Sequence, residues 1–337
     1  LKSLLRRAGR ILQSGPDIQN PLNLASQLVQ SLGIVRNPLK TSLLSAADVK
    51  SNPPYSIHAL GPAARLINRL GGNFRWQHLP VPFEVYADGI DLVVFEEFGA
   101  GAAALHLRDE VERNELMRDE AYRRRFRKEY ESKLGIRVWQ RDFFDAEIVD
   151  CPDASVIGKS FGAVGQERGG LHPVDTFLDL VLEHGRKLRW RTTISNHRPQ
   201  MLKKLAADAG VQMGFSDAGA HLRNMAFYNM GLRLLRHVRD AEQAGAPFMS
   251  IEHAVHRLTG ELADWYRLDA GHLRIGGPCR RGGHRPGPPR RIAGALRRGT
   301  RRPVRRAVAD GQPQRRHGHR GARRRAGGHS RRPAHRG

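Results

Sequence analysis

The stretch Gly214-Phe215-Ser216-Asp217-Ala218-Gly219-Ala220-His221 places one carboxylate where chemistry is possible. Residues 211–215 read as a short strand, and Asp217 follows in a loop of small residues. In a barrel of alternating strands and helices, the loops after the strands make the catalytic face. Small neighbours let a substrate or a metal ion come close to the carboxylate. The same residues also suit a turn in which the Asp caps the backbone, so strand-Asp-Gly alone leaves both readings open. The other candidate groups are dispersed. His253 and His256 stand three apart on an expected helix but lack a third partner. His58, His106, His172, His184, His237 and His272 are scattered and read mostly as solvent-facing or structural. Cys151 reads as a loop residue.

The elements that must position Asp217 emerge from periodicity and punctuation. Apolar residues spaced by three and four predict helices over 1–14, 21–33 and 59–70, the last closed by Gly71-Gly72. A short apolar run predicts a strand over 39–44, and strand-like stretches are read over 73–78, 90–95, 188–194 and 211–215. Residues 109–134 are rich in Glu and Arg and read as one long solvated helix with ion pairs four residues apart. Its basic run, Arg123-Arg124-Arg125 with Arg127 and Lys128, is broken up by Glu120, Glu129 and Glu131, so it offers no clean phosphate-binding face. Further helices are expected over 174–184, 199–209, 225–238 and 251–268, the last capped by Ser250. Strands alternating with helices predict an α/β fold with parallel strands.

Charge divides the chain in two. Residues 277–337 hold 20 Arg, no Lys and one acid, Asp310, so this tail carries +19 of the net +24. Such asymmetry normally suggests a nucleic-acid arm. A blander account is an out-of-frame reading of a GC-rich gene, since Arg, Gly, Pro and Ala own the codon boxes that begin with only G and C. With suitable codons, dropping one base near Gly277 yields Ala-Asp-Val-Val-Val, a turn followed by a strand. The expected organisation is therefore a body over 1–276 and a disordered Arg/Gly/Pro-rich tail over 277–337. The tail would bind nucleic acid only non-specifically, as any polyanion. Two cysteines, Cys151 and Cys279, exclude a disulfide framework and fit a reducing, cytoplasmic setting. No apolar run reaches the roughly 18–20 residues of a membrane span, so no membrane partner is expected.

Three blocks together carry a resemblance. They are the Asp217 block, the run Met249-Ser250-Ile251-Glu252-His253-Ala254-Val255-His256-Arg257-Leu258-Thr259-Gly260, and Gly271-His272-Leu273-Arg274-Ile275-Gly276. This combination resembles the C-terminal part of the amidohydrolase superfamily, and within it the D-aminoacylase (N-acyl-D-amino-acid deacylase) branch. The resemblance is strongest over 150–276. It implies a partial TIM-like (β/α)8 barrel of the metal-dependent hydrolase type, zinc as cofactor and a small-molecule N-acyl amino acid as substrate. A dihydroorotase- or hydantoinase-like ring opener is the neighbouring alternative. By the same resemblance Asp217 matches the acid that moves a proton from metal-bound water to the leaving nitrogen, and is counted with the metal site. His78, in Trp76-Gln77-His78-Leu79-Pro80, matches a metal-binding histidine; Asn196 and His197, which follow the 188–194 stretch, are expected to line the site on the substrate side, and His221, which follows the acid, its mouth. A structural role for His78 and His221 stays open. The expected His-x-His and a histidine within 39–44 are absent. A zinc site needs about three protein ligands. The resemblance therefore implies that the first strands and most ligands lie outside this chain, and it leaves the activity of this chain by itself open.

Overall fold

The computed structural model describes residues 2–15, 29, 31, 38–50, 56–133, 137–214, 216, 222–225 and 227–275. The helix expected over 21–33 falls almost wholly outside them, and the tail over 277–337 does so entirely. Four strands form a parallel sheet in the order β1-β2-β3-β7. They are β1 (Leu12–Ser14), β2 (Thr41–Leu44), β3 (Phe74–His78) and β7 (Val211–Met213). The Leu60–Arg69 helix makes the crossover from β2 to β3, and the Pro199–Ala207 helix leads into β7. The α/β expectation holds. Among the described residues the parallel strands make an open sheet rather than a closed barrel.

Strand alternation divides this sheet into an apolar and a polar face. Leu43, Phe74, Trp76, Val211 and Met213 share one core with Ala64, Leu205, Ala206, Leu234, Val238, Met249 and Ala254 of the covering helices and loops. The opposite face holds a hydrogen-bonded ladder. Gln13 Nε2 donates to Gln77 Oε1 at 3.3 Å, and Gln77 Nε2 to Ser42 Oγ at 2.9 Å. Gln212 Nε2 donates to Ser42 Oγ at 2.7 Å and to the Tyr266 hydroxyl at 2.8 Å. The Gly260–Tyr266 helix covers the ladder, with Lys40 and Arg75 lying 4.3 and 4.5 Å over the Trp265 ring and Arg75 paired to Glu261 at 2.6 Å.

Between β3 and β7 the chain builds a second, antiparallel sheet of order β4-β6-β5. Its strands are β4 (Phe83–Asp88), β5 (Glu147–Asp150) and β6 (Arg189–Ser195). An aromatic core backs it. Phe177 stacks on Phe95 and Phe143 at 5.4 and 4.6 Å, and Trp190 meets Phe161 and Phe177 edge-on. The 188–194 run is thus a strand as expected, but an antiparallel one outside the parallel sheet.

Several boundaries differ for identifiable reasons. The 109–134 helix is two helices, Glu110–Arg118 and Glu120–Glu131. Asp119 ends the first in an extended conformation and caps the second, accepting the Tyr122 N–H at 2.7 Å. The run 90–95 leads into a 3-10 turn, Val93–Glu97, that buries Val94 and Phe95, rather than forming a strand. Glu97 there accepts the N–H groups of Val138 and Trp139, which satisfies a loop that no strand pairs with. The expected helix over 1–14 stops at Arg7, and β1 pairs with β2 instead. The helix after Ser250 breaks at Thr259 into Ile251–Leu258 and Gly260–Tyr266. The helix expected over 225–238 begins later, as Met230–Gln243. Among the described residues no helix is long and apolar enough to cross a membrane.

Candidate active site at the carboxyl edge of the parallel sheet

The segments that leave β2, β3 and β7 emerge at one edge of the sheet, because parallel strands end on the same side. In open α/β sheets this carboxyl edge is where ligands bind. The segment after β6 joins them through Asn196, whose N–H donates to the Asp48 carbonyl at 2.8 Å.

His78 ends β3 and is fully buried. Its Nδ1 lies 2.6 Å from the Ala46 carbonyl, two residues past the end of β2. A carbonyl only accepts, so Nδ1 carries the hydrogen and Nε2 holds a lone pair. That Nε2 is buried and has no hydrogen-bond partner. Burial pushes the His78 pKa down to about 4; the Ala46 hydrogen bond opposes this and the Arg257 charge adds to it. The ring is therefore neutral at pH 7. Alternation puts it on the side of Phe74 and Trp76, at the last position of the strand.

Asn196 is buried and held at a positive φ of 59°. Its Nδ2 donates to the carbonyls of Leu79 and Val81 at 2.9 and 3.2 Å, and its Oδ1 accepts the Asp48 N–H at 2.9 Å. The side chain thus ties the segments after β2 and β3 to the end of β6. His197 beside it is exposed, and burial of part of its ring is the largest cause lowering its pKa. Asp48, only 2% exposed, holds Arg198 through both carboxylate oxygens, with Nε at 2.7 Å. Sequence reasoning missed Asp48 and Arg198. Neither stands in a motif, and 150 positions separate them in the chain.

The Asp217 loop is anchored on both flanks. The Gly214 N–H donates to the His78 carbonyl at 3.0 Å, and the Ser216 carbonyl accepts from the Phe227 N–H at 3.3 Å. On the far side Asn224 bonds to β4: the Tyr86 N–H donates to its carbonyl at 2.7 Å, and its Nδ2 donates to the Tyr86 carbonyl at 2.8 Å. Arg223 and Arg189 both pair with the buried Asp88. Asp217 and His221 themselves lie outside the described residues.

Among the described residues no group of three His, Cys, Asp or Glu side chains is placed to hold a metal ion. Cys151 belongs to the aromatic core of the second sheet, where burial pushes its thiol pKa up. The fit to zinc therefore extends to one imidazole, His78, with its lone pair free and its ring fixed by a carbonyl.

No family model matches the chain. It is 59% identical over 281 residues to the uncharacterized proteins Rv2913c of Mycobacterium tuberculosis and Mb2937c of Mycobacterium bovis. The match takes in 82% of this chain and 46% of each relative, so the chain spans about half the length of the curated relatives it matches. Among solved structures it is similar to an N-acyl-D-glutamate deacylase from Bordetella bronchiseptica, complexed with zinc and a phosphonate inhibitor that mimics the tetrahedral intermediate. The TM-score is 0.45 at 17% identity, covering 82% of this chain and 47% of that one. A D-aminoacylase described as defining a novel subset of amidohydrolases gives a TM-score of 0.40 at 15% identity, covering 79% and 44%. TM-scores below 0.5 do not establish a shared fold.

Proposed function

We propose that the chain contributes part of the catalytic centre of a metal-dependent hydrolase acting on non-peptide C–N bonds, with N-acyl amino acids as the substrate class. The observation that carries this reading is the bond from the Gly214 N–H to the His78 carbonyl. It sets the strand that runs toward Asp217 directly against the strand that ends in a histidine with a free, buried Nε2. His78 would hold the metal through Nε2, with the Ala46 carbonyl fixing ring and tautomer, as carbonyls commonly do for metal-bound histidines. Zinc, when bound, supplies Lewis acidity and lowers the pKa of a bound water to about 7. Asp217 would act as the acid–base group, taking a proton from the attacking water and returning it to the leaving nitrogen. Asn196, expected on the substrate side, is buried with both ends of its amide engaged, and in this reading it positions the loops around the site instead of touching substrate. His197, which is exposed, and His221 are the substrate-side candidates.

The test is hydrolysis of N-acetyl-D- and N-acetyl-L-amino acids by the longer protein that spans the full length of the relatives. General acid–base groups contribute about 10²–10⁴-fold. Asp217→Asn is expected to lose kcat by that order while KM changes little. Full activity in Asp217→Asn overturns the assignment. Turnover of dihydroorotate or a hydantoin in place of N-acyl amino acids overturns the substrate class and keeps the reaction type.

A further inference from the structure

A cavity of about 350 Å³ opens between the Pro199–Ala207 and Met230–Gln243 helices, beside Pro80 and Pro82. Among the described residues its lining does not include His78, and its ligand chemistry is independent of the hydrolase reading. Its volume falls within the range of small-molecule sites, about 300–1,000 Å³. Pro80, Pro82 and Pro199 form part of the wall, and proline brings no N–H donor. Leu202, Ala206, Leu234 and Ala241 supply buried apolar surface, and Phe248 an aromatic one.

The ionisable groups lining this apolar cavity are Lys203, His237 and Asp240. Asp240 is paired to Arg236 at 3.3 Å. Lys203 forms no ion pair among the described residues; its ammonium lies 5.9 Å over the Phe248 ring. Burial first, and then the charges of Arg233, Arg236 and Lys203, push the His237 pKa down, with Asp240 opposing. Burial disfavours either charge, but three neighbouring cations, Arg233, Arg236 and Lys203, stand against one carboxylate, Asp240, so an anion beside the ring meets net positive charge. Apolar walls with an unpaired cation and a neutral imidazole match an amphipathic anion.

We infer that this cavity binds a small monocarboxylic acid with an apolar body, its carboxylate meeting Lys203 Nζ and the His237 ring and its body lying along Leu202, Leu234 and Phe248. The probes are 4-phenylbutyrate and its neutral amide, titrated into the purified chain at pH 7 by calorimetry and ligand-observed NMR. The acid is expected to bind at least tenfold more tightly than the amide. Lys203→Met, which removes a partly exposed cation, should cost the acid about tenfold and leave the amide unchanged. Ala244→Trp, at an exposed lining position, should block both ligands with an unaltered circular dichroism spectrum. Equal affinity for acid and amide, or binding that survives Ala244→Trp, overturns the proposal. So does binding by this chain that disappears in the longer protein, for then the cavity is a seat for another segment of that protein.

Discussion

At the scale of single residues, burial decides which groups are available for chemistry. His78 and Asn196 illustrate the two outcomes. Asn196 has both ends of its amide engaged, so it holds loops together. His78 has one nitrogen engaged and one free, so it can still ligate. The histidine was legible in the sequence through the resemblance and its place at the end of an expected strand. The tautomer was not, because it depends on the Ala46 carbonyl, 32 positions away. Glu97 offers a prediction at this scale. Burial, the largest cause, raises its pKa against the N–H groups of Trp139 and Val138 and the charges of Arg141 and Arg137. The folded state therefore holds its proton at a pH where the unfolded chain has released it. The stability linked to this proton is full below the ordinary carboxylate pKa and is lost as pH rises through the raised value. Glu97→Gln keeps an acceptor for both N–H groups and removes the titration. Urea unfolding from pH 4 to 7 should show wild type losing stability relative to Glu97→Gln as pH rises. Parallel curves would contradict the assignment.

At the scale of elements, β2, β3, β6 and β7 were legible because short strand-like stretches are bounded by Gly and Pro, as in 73–78 between Gly71-Gly72 and Pro80. β4 and β5 escape that reading: Phe83–Asp88 carries the alternation of a half-buried strand but follows directly on Pro80 and Pro82, which read only as the end of β3, and Glu147–Asp150 is short and half polar. Their pairing partner, β6, lies 39 or more residues further on, beyond the reach of local patterning. The break at Asp119 is local and arises from side-chain capping, yet the charge periodicity of 109–134 masks it. Arg257 shows how a helix can lock a strand. It is 1% exposed and donates to the carbonyls of Ala206, Asp208 and Val211, where the Pro199–Ala207 helix passes into β7. Sequence reading placed it within the resemblance block without a role. Arg257→Met leaves these buried carbonyls without their donor. Unfolding should become easier by on the order of 3 kcal/mol, read from urea midpoints. A loss below about 1 kcal/mol would mean that water or a neighbouring side chain replaces the guanidinium.

At the scale of the whole molecule, the parallel order β1-β2-β3-β7 places the ends of β3 and β7 side by side, although 135 positions separate His78 from Met213. The strand alternation that made an α/β fold legible could not reveal that the second sheet is inserted between these neighbours. The charge asymmetry was also legible from composition, and the nucleotide sequence around codon 277 is its direct check: removal of one base should restore β-branched strands with ordinary Asp and Glu content. Because the chain spans about half the length of its curated relatives, the central claim is tested on a protein of the relatives' full length. The most direct test is its zinc content, measured by mass spectrometry after dialysis against metal-free buffer, for wild type and for His78→Ala with folding checked by circular dichroism. Wild type should retain at least about one zinc per chain, as a catalytic site with three protein ligands does, and folded His78→Ala should lose it. Equal zinc in the two proteins, or none in wild type, would contradict the account and leave His78 a core histidine.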